Sequence, residues 1–352
     1  MNSEHANWKL SIPKEVLAKK ALDLQFQQNP QLMNRYSAYQ KQKSLEDMAY
    51  HLRFIEAACE SNSPEILSNY LIWLKDLLSR LGVPVKDLKQ SVLCVNDVIL
   101  NEAPDLATNE FKKVLEVGLA SLEASNPAFQ SYLNPDQPYV DLAKKYMDYL
   151  LVGKRYEACD LIIAEVDRGV PIKDIYLHVF QTVQYEVGYL WHQGHITVAQ
   201  EHFCTAACQY IIARLYPMIF QNSVQGPKVV AACIGDELHE MGIRMVADFF
   251  ELSGYDTYYL GANTPMEGIL QTVKQSRPIA LALSITIAFH MGELISLIQA
   301  MRADKDCRNT KILVGGYAFN TNKDLWSRIG ADGYARDAEG AIEIIEKFQR
   351  KG

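Results

Sequence analysis

One stretch decides the fold of the C-terminal part: Gly235-Asp236-Glu237-Leu238-His239-Glu240-Met241-Gly242, directly after the apolar run Lys228 to Ile234. This order predicts a buried strand, a glycine turn that presents a histidine, and then the start of a helix. His239 is therefore expected at the carboxyl edge of a sheet, where open α/β folds bind their ligands. Glu237 can accept the second ring N–H of His239, which fixes the tautomer and makes the other nitrogen more basic.

A glycine three residues after the histidine is a second feature that points to a ligand. Gly242 lies in the first turn of the predicted helix, and its missing side chain lets that helix approach something flat and wide. One imidazole beside such a surface meets the demands of a large metal macrocycle that a single protein nitrogen ligates from below.

Three features in this order resemble the signature of cobalamin-binding domains: Glu237-x-His239-x-x-Gly242, Ser284-Ile285-Thr286 and Val314-Gly315-Gly316. The resemblance covers roughly residues 224–348. It implies that His239 replaces the nucleotide base of the corrinoid as the lower cobalt ligand. It also implies a slot for the displaced nucleotide tail, lined by Ser284, Thr286, Gly315 and Gly316. The alternative is a satisfied loop histidine in an ordinary doubly wound domain.

Strands and helices alternate through this region, which predicts a doubly wound parallel sheet. The expected strands are approximately 229–234, 257–260, 280–287, 312–314 and 333–335. Thr264 and Pro265 are expected to start one helix as N-cap and first helical residue. The fold class is thus a flavodoxin-like α/β cobalamin domain at residues 223–352, preceded by two helical regions.

The two helical regions are separated by a proline-rich linker at residues 127–138. Residues 139–222 predict a four-helix bundle with helices at about 139–152, 156–167, 172–190 and 197–216, the third with Pro171 as its first residue. Residues 1–126 predict a helical domain, in which Ser63 caps a helix that begins at Pro64.

The bundle carries a second group of polar residues in Trp191-His192 and Glu201-His202. A glycine turn at Gly194 separates the two pairs, so the helix corner can aim them at a common point. A tryptophan beside titratable groups can shield an apolar, reactive ligand while keeping polar contacts within reach. A core tryptophan next to a solvated corner is the alternative interpretation.

This corner resembles the helical cap of the adenosylcobalamin photoreceptors typified by the light-sensing repressor CarH. The resemblance implies that Trp191 shields the adenosyl group above the corrin and that Glu201 and His202 contact it. It also implies that His192 becomes the upper cobalt ligand after light has broken the cobalt–carbon bond. His195 has no counterpart there and is expected at the surface.

The order of domains is similar to that of the photocobilins, in which a globin-like helical domain binds biliverdin beside a cobalamin photoreceptor. The resemblance implies a bilin site in which His51 and Arg53 meet a propionate or pyrrole nitrogen and Trp73 packs on a ring. An amphipathic helix pair without a ligand is the alternative. Cys94 is considered as a covalent anchor, but a buried thiol is the preferred interpretation.

Composition and charge indicate which partners and which cellular compartment to expect. A net charge of −7 and helices of mixed charge argue against a DNA-binding surface, and no winged helix is recognisable. Seven scattered cysteines fit reduced thiols. No apolar run spans a bilayer and no signal peptide is recognisable, so we expect a cytoplasmic protein without membrane partners.

These features favour a light-sensing signalling protein that binds adenosylcobalamin between bundle and α/β domain, with biliverdin in the N-terminal domain. It is expected to be a photochemical switch rather than a turnover enzyme, to form a dimer or tetramer that responds to light, and to signal to an unknown protein partner. The first alternative is a corrinoid methyl carrier of a methyltransferase system, although the bulky cap argues against one. An adenosylcobalamin isomerase subunit would need a substrate barrel, and the sequence shows no run of eight strand–helix repeats. A protein that only stores cobalamin would not need the cap.

Overall fold

Two compact units make up the chain in the computed structural model, which describes residues 8–124, 130–220, 226–320, 322 and 324–351. The first unit comprises Met1–Asn126 together with Ile287–Ser296 and Thr321–Ile329. The second comprises Pro127–Thr286, Leu297–Asn320 and Gly330–Gly352. The bundle and the sheet therefore belong to one unit.

The N-terminal part of the first unit is helical, as predicted. Its helices are α1 (Lys14–Gln28), α2 (Pro30–Arg35), α3 (Ala38–Glu60), α4 (Pro64–Arg80), α5 (Val85–Glu102) and α6 (Asn109–Ser121). Ser63 occupies the N-cap position of α4 and Pro64 its first turn, but the Ser63 side chain makes no capping bond. Its hydroxyl donates to the carbonyl of Ser61 instead, at 3.2 Å.

The bundle contains the four predicted helical regions. They are α7 (Val140–Leu151), α8 (Arg155–Asp167), a third region of α9 (Ile172–Asp174), a π-helix (Ile175–Phe180) and α10 (Gln181–His192), and finally α11 (Val198–Ile219). The third helix is thus not continuous, since a π-helical segment interrupts it. Four of the six residues of this segment are buried. Pro171 stands one position earlier than predicted, at the N-cap of α9.

Five parallel strands form the sheet, in the order β2-β1-β3-β4-β5. They are β1 (Lys228–Ile234), β2 (Asp256–Thr264), β3 (Ala280–Ser284), β4 (Lys311–Gly315) and β5 (Gly333–Tyr334). The helices of this region are α12 (Met241–Leu252), α13 (Met266–Ser276), α14 (Met291–Ala303), α15 (Leu325–Arg328) and α16 (Ala338–Lys351). This strand order is the flavodoxin-like one, so the predicted fold class is confirmed.

Two predicted boundaries in the sheet region are wrong. Thr264 is the last residue of β2 and Pro265 is the N-cap of α13, because the edge strand stays paired with β1 up to Thr264, through two shifts in register. β3 ends at Ser284 rather than 287, and Thr286 uses its backbone N–H on a carboxylate rather than on a neighbouring strand.

The bundle shares a hydrophobic core with α12 of the sheet region. Buried bundle side chains such as Tyr176 and Phe180 form a cluster with Met245 and Phe249 of α12. The hydroxyl of Tyr176 also donates to Asp248 at 2.8 Å. These contacts hold the bundle against α12. Among the described residues, no helix is long and apolar enough to cross a membrane.

Candidate cobalamin site

The loop after β1 presents His239 to the outside while it keeps Glu237 inside. Gly235 turns the chain with a φ of 60°, and the side chain of His239 is 55% exposed while that of Glu237 is fully buried. The Nδ1 atom of His239 lies 2.5 Å from Oε1 of Glu237, which is the contact predicted from the sequence. With Nδ1 bonded to the carboxylate, Nε2 is the nitrogen that can ligate a metal.

Glu237 also organises the backbone around the histidine. Its Oε1 accepts the backbone N–H of His239 at 3.0 Å, and its Oε2 accepts that of Thr286 at 2.8 Å. The buried carboxylate therefore joins the histidine loop to the Ser284–Thr286 motif. Thr286 takes part in this network through its backbone N–H, whereas Ser284 lines a neighbouring cavity.

The surroundings raise the pKa of His239 above its ordinary value. The hydrogen bond with Glu237 raises the pKa of His239, burial opposes this, and the charge of Glu201 raises the pKa further. Glu201 belongs to the bundle, so the cap brings a carboxylate within electrostatic reach of the predicted lower ligand. A metal must displace the proton before it binds this imidazole.

Glu240, next to His239, ties the loop to two neighbouring elements. Its Oε2 accepts the hydroxyl of Tyr259 at 2.8 Å and the backbone N–H of Ala262 at 3.1 Å, both in β2. Its Oε1 accepts from Nε2 of Gln209 in α11, at 3.0 Å. The sequence analysis did not single out Glu240, although it stands inside the motif; only the fold reveals its partners.

A cavity of about 150 Å³, here called the slot, opens between the bundle and the carboxyl edge of the sheet. Four predicted residues line it, Gly242, Ser284, Gly315 and Gly316, together with Gln181, Gln184 and Tyr185 of α10. No sequence signal marked these α10 residues, because any exposed polar face of a helix has the same pattern.

The glycines of the slot serve two different purposes. Gly316 has a φ of 94°, and a Cβ there would lie 2.3 Å from the carbonyl oxygen of Ile285 and 2.8 Å from Oγ of Ser284. A Cβ on Gly242 would meet no atom within 4 Å, so this glycine keeps open space in front of α12. The turn after β4 therefore needs glycine to fold, whereas Gly242 leaves room for a ligand.

The cap corner has the predicted form. Trp191 and His192 end α10 and are half-buried, and Gly194 follows with a φ of 73°. Thr197 forms a capping box with Gln200 at the start of α11. The first turn of α11 then presents Glu201 and His202.

Polar contacts lead from this corner to the slot. The Nδ1 atom of His202 lies 2.6 Å from Glu201, which also accepts the hydroxyl of Thr205 at 3.1 Å. Thr205 in turn lies 3.4 Å from Oε1 of Gln184, which lines the slot. His195 is exposed, as expected.

The residues proposed for a bilin lie in different environments. His51 is fully buried, with Nδ1 at 2.9 Å from the hydroxyl of Tyr70 and Nε2 at 2.9 Å from that of Ser91. Burial lowers the pKa of His51 to about 3. Both nitrogens are therefore used within the protein, and we assign His51 to the core rather than to a ligand.

Arg53 and Trp73 are more accessible. Arg53 is half-buried, with its guanidinium 3.7 Å from the centroid of the Phe289 ring, and Trp73 is 41% exposed. Cys94 is buried, and burial raises its pKa to about 11, so the thiol stays protonated. This agrees with the buried-thiol interpretation.

Sequence families match three parts of the chain. Residues 227–344 match the family described as B12 binding domain, and residues 142–216 match a second family of that description. The chain is a cobalamin-binding protein. Residues 6–151 match the family described as Phycobilisome protein.

Individual relatives are distant. A corrinoid protein of Desulfitobacterium hafniense is 26% identical over 47% of this chain and 77% of its own length. The transcriptional repressors CarA and CarH of Myxococcus xanthus are 27% and 29% identical over 42% and 48% of this chain. Only 50% and 55% of the two repressors is covered, so the chain spans about half of their length.

A solved structure supports the fold. The monomethylamine corrinoid protein of Methanosarcina barkeri aligns with a TM-score of 0.51 and 20% identity, over 60% of this chain and 100% of that one. The bundle and sheet thus form a fold found in corrinoid proteins. The residues present also fit a corrinoid, since an outward imidazole with one committed nitrogen stands beside a glycine that faces open space.

Proposed function

We propose that the protein is a light-sensing signalling protein that holds adenosylcobalamin between the bundle and the α/β domain. The observation that carries this proposal is the cap corner, in which Trp191 and His192 end α10 and Glu201 lies in the first turn of α11. Glu201 also contributes to the raised pKa of His239, the proposed lower ligand, but less than Glu237 does. A tryptophan beside titratable groups on one corner suits a corrinoid enclosed on its upper side.

The residues of the cap have distinct tasks in this proposal. When bound, adenosylcobalamin supplies a cobalt–carbon bond that visible light breaks. Trp191 covers the apolar upper ligand, and Glu201 and His202 hold its polar groups. His192 is positioned one residue further along α10, at the helix end, and is the proposed upper metal ligand after illumination.

The signal would arise from a change in how the bundle contacts the α/β domain. The polar contacts between the two in the present arrangement include Gln209 with Glu240, Tyr216 with Arg244, and Tyr176 with Asp248. Loss of a bulky upper ligand would remove the group that separates the bundle from the α/β domain. These contacts are therefore expected to rearrange. The protein would act as a switch rather than as a turnover enzyme.

Biliverdin in the N-terminal domain belongs to the same proposal. The match of residues 6–151 to the phycobilisome family supports it. Arg53 and Trp73 are the residues we retain for this site, since His51 is committed to Tyr70 and Ser91. Incubation with biliverdin tests it: a retained far-red band that Trp73→Ala weakens is expected, and free elution of the pigment would contradict it.

The output is proposed to involve another protein rather than DNA, with light-dependent homo-oligomerisation. The part shared with CarA and CarH covers about half of those repressors, and the N-terminal residues match a different family. Size-exclusion chromatography of dark and illuminated protein tests the assembly. The same elution volume in both states would count against a light-dependent oligomer.

A corrinoid methyl carrier is the second candidate. The names of the Desulfitobacterium relative and the Methanosarcina structure favour a corrinoid protein of this kind, and the fold is the same. A methyl carrier needs an accessible upper face, whereas a photoreceptor encloses its upper ligand. We therefore expect the apoprotein to retain adenosylcobalamin in darkness more tightly than methylcobalamin. Equal retention of both would favour the carrier.

A further inference from the structure

The end of β2 contacts the histidine loop on both sides of His239. The backbone N–H of Asn263 donates to the carbonyl of Glu237 at 3.0 Å. The backbone N–H of Ala262 donates to Oε2 of Glu240 at 3.1 Å. β2 is an edge strand whose pairing with β1 shifts register twice, and such shifts turn backbone groups away from the neighbouring strand. The irregular end of β2 is therefore the surface on which the loop rests.

Donors from two elements hold the carboxylate of Glu240. The hydroxyl of Tyr259 and the backbone N–H of Ala262 belong to β2 and donate at 2.8 and 3.1 Å. Nε2 of Gln209 belongs to α11 of the bundle and donates to the other oxygen at 3.0 Å. Hydrogen bonds to a carboxylate are among the stronger ones in proteins, so together these donors fix its orientation. Because Glu240 follows His239 directly, they also restrain the backbone that carries the imidazole.

Polar side chains on successive turns of α12 meet the bundle. They begin with Glu240, the N-cap residue, and recur every four residues, so they lie along one stripe of the helix. The contacts measure between 2.8 and 3.1 Å and pair, in order along α12, Gln209 with Glu240, Tyr216 with Arg244, and Tyr176 with Asp248. Glu240 stands at the end of the stripe that adjoins His239. The position of the bundle therefore reaches the histidine loop through this residue.

One helix carries both the cap residue Glu201 and the contact with Glu240. α11 has Glu201 in its first turn, and Gln209 lies about 12 Å further along its axis. A helix of this length moves largely as a rigid element, so a displacement of the cap end also displaces Gln209. A bundle that changes position would thus withdraw a donor from Glu240.

We propose that Glu240 is a positioning residue for the lower cobalt ligand, and that Gln209 makes its action depend on where the bundle lies. With the bundle in place, Gln209 and β2 together hold the His239 loop for metal binding. When α11 moves, Glu240 loses one donor and the imidazole is held less firmly. This inference rests on cobalamin binding through His239 and does not need the light reaction.

The first experiment measures whether the two residues act together. Full-length apoprotein, Gln209→Leu, Glu240→Gln and the double variant are titrated with adenosylcobalamin in darkness. Because groups that orient a metal ligand affect metal affinity, we expect Gln209→Leu to weaken binding by about fivefold and Glu240→Gln by about tenfold. The double variant should bind about as well as Glu240→Gln alone, since both changes break the same contact. Fully additive losses would overturn the inference.

The absorbance spectrum of the bound corrinoid separates positioning from mere support of the fold. A corrinoid with an imidazole on cobalt absorbs differently from one that lacks a lower ligand. We expect the wild type to show the imidazole-ligated spectrum at saturation, and Gln209→Leu and Glu240→Gln to show a mixture of the two spectra. Gln209→Lys offers an ammonium donor to Glu240 and should restore most of the imidazole-ligated form.

An exposed glutamine on α13 provides the matched control. Gln275→Leu should change neither the affinity nor the spectrum. Thermal melts of the apoproteins show whether each variant folds, and Glu240→Gln carries the same spectral prediction if Gln209→Leu does not fold.

The outcomes separate this inference from the proposals on which it builds. Weaker binding of Gln209→Leu with an unchanged spectrum, no effect on either, or no rescue by Gln209→Lys would overturn the inference. A wild-type complex without the imidazole-ligated spectrum would overturn the assignment of His239 as lower ligand. An imidazole-ligated complex that does not respond to light would overturn only the photoreceptor proposal.

Discussion

Glu237 uses its two oxygens on different parts of the site. One oxygen holds the imidazole of His239 and its backbone N–H, and the other holds the backbone of Thr286. A full negative charge in a buried position acts strongly on its nearest neighbour. The hydrogen bond with Glu237 is the largest cause of the raised pKa of His239, and the charge of Glu237 adds to it.

This contact predicts how corrinoid affinity depends on pH. A raised pKa keeps His239 protonated to higher pH, and a protonated imidazole cannot ligate cobalt. Affinity should therefore fall as the pH is lowered through that raised pKa. Glu237→Gln removes the charge, so the midpoint of this loss should move to lower pH, and the affinity at high pH should drop by about tenfold or more. Titrations with hydroxocobalamin from pH 5 to 9 measure the midpoint of the loss and the affinity at high pH.

A distant carboxylate serves as the control for that titration. Glu339→Gln on α16 removes an exposed charge and should leave the midpoint where it is. A midpoint that stays constant or rises in Glu237→Gln would show that the carboxylate does not set the basicity of His239.

His51 predicts a different pH effect, on stability. Its pKa is lowered to about 3 in the folded protein, against about 6.5 when unfolded. Between these two pH values the imidazole is protonated in the unfolded chain but not in the folded protein. The contribution of neutral His51 to the free energy of unfolding is therefore complete above about pH 6.5 and is lost as the pH falls toward 3. Urea unfolding at pH 7 and pH 5 should show less pH dependence in His51→Gln than in wild type.

The surface histidine His195 provides the matched comparison. His195→Gln should keep the wild-type pH dependence of unfolding, because this exposed side chain changes its surroundings little on unfolding. If His51→Gln also kept it, another group would be responsible for the acid sensitivity.

His51 shows what a sequence cannot reveal at the scale of one residue. Its partners Tyr70 and Ser91 are 19 and 40 positions away, so only the packed helices bring the three together. His239 was predictable because its partner lies two residues before it, in the same turn. Local pairs can be derived from spacing, whereas remote pairs need the fold.

At the scale of elements, the turn after β4 is the most constrained part of the slot. Gly316→Ala should lower the apoprotein's free energy of unfolding by about 2 kcal/mol or more, because φ is positive and the new methyl would meet the Ile285 carbonyl. Gly242→Ala should leave stability unchanged, since its Cβ meets no atom, and should weaken cobalamin binding alone. Thermal melts and titrations separate the two; equal stability losses would contradict this geometry.

The corner between α10 and α11 should distinguish upper ligands. Trp191→Ala removes the proposed cover and should weaken adenosylcobalamin binding by about tenfold, with a smaller effect on hydroxocobalamin. Tyr156→Ala, an exposed aromatic residue on α8, is the control and should change neither. Equal losses for both corrinoids would mean that Trp191 supports the fold and does not contact the upper ligand.

Elements were predictable where side-chain patterns are strong. The Lys228–Ile234 run and the glycine turn after it specify β1 and the site loop. The π-helix at Ile175–Phe180 was missed because one extra residue in a buried helix leaves the apolar pattern almost unchanged. The early end of β3 depends on the Thr286 N–H turning to Glu237, which no local pattern records.

At the scale of the whole molecule, a helical unit precedes a bundle and sheet that form a cobalamin-binding unit. The sequence predicted this order of folds, because helical periodicity gives way to β-branched runs after the bundle. The contacts of Tyr132 were not predictable, since its partners Tyr185 and Glu186 lie more than 50 positions along the chain.

The most direct test of the central claim is an absorbance spectrum of the purified protein loaded with adenosylcobalamin in darkness, recorded before and after green light. We predict a retained corrin spectrum that changes irreversibly on illumination in wild type. In His192→Ala the dark spectrum should be the same and the illuminated one different, because the second imidazole ligand is missing. A bound corrin whose spectrum survives this light in both proteins would contradict the photoreceptor account.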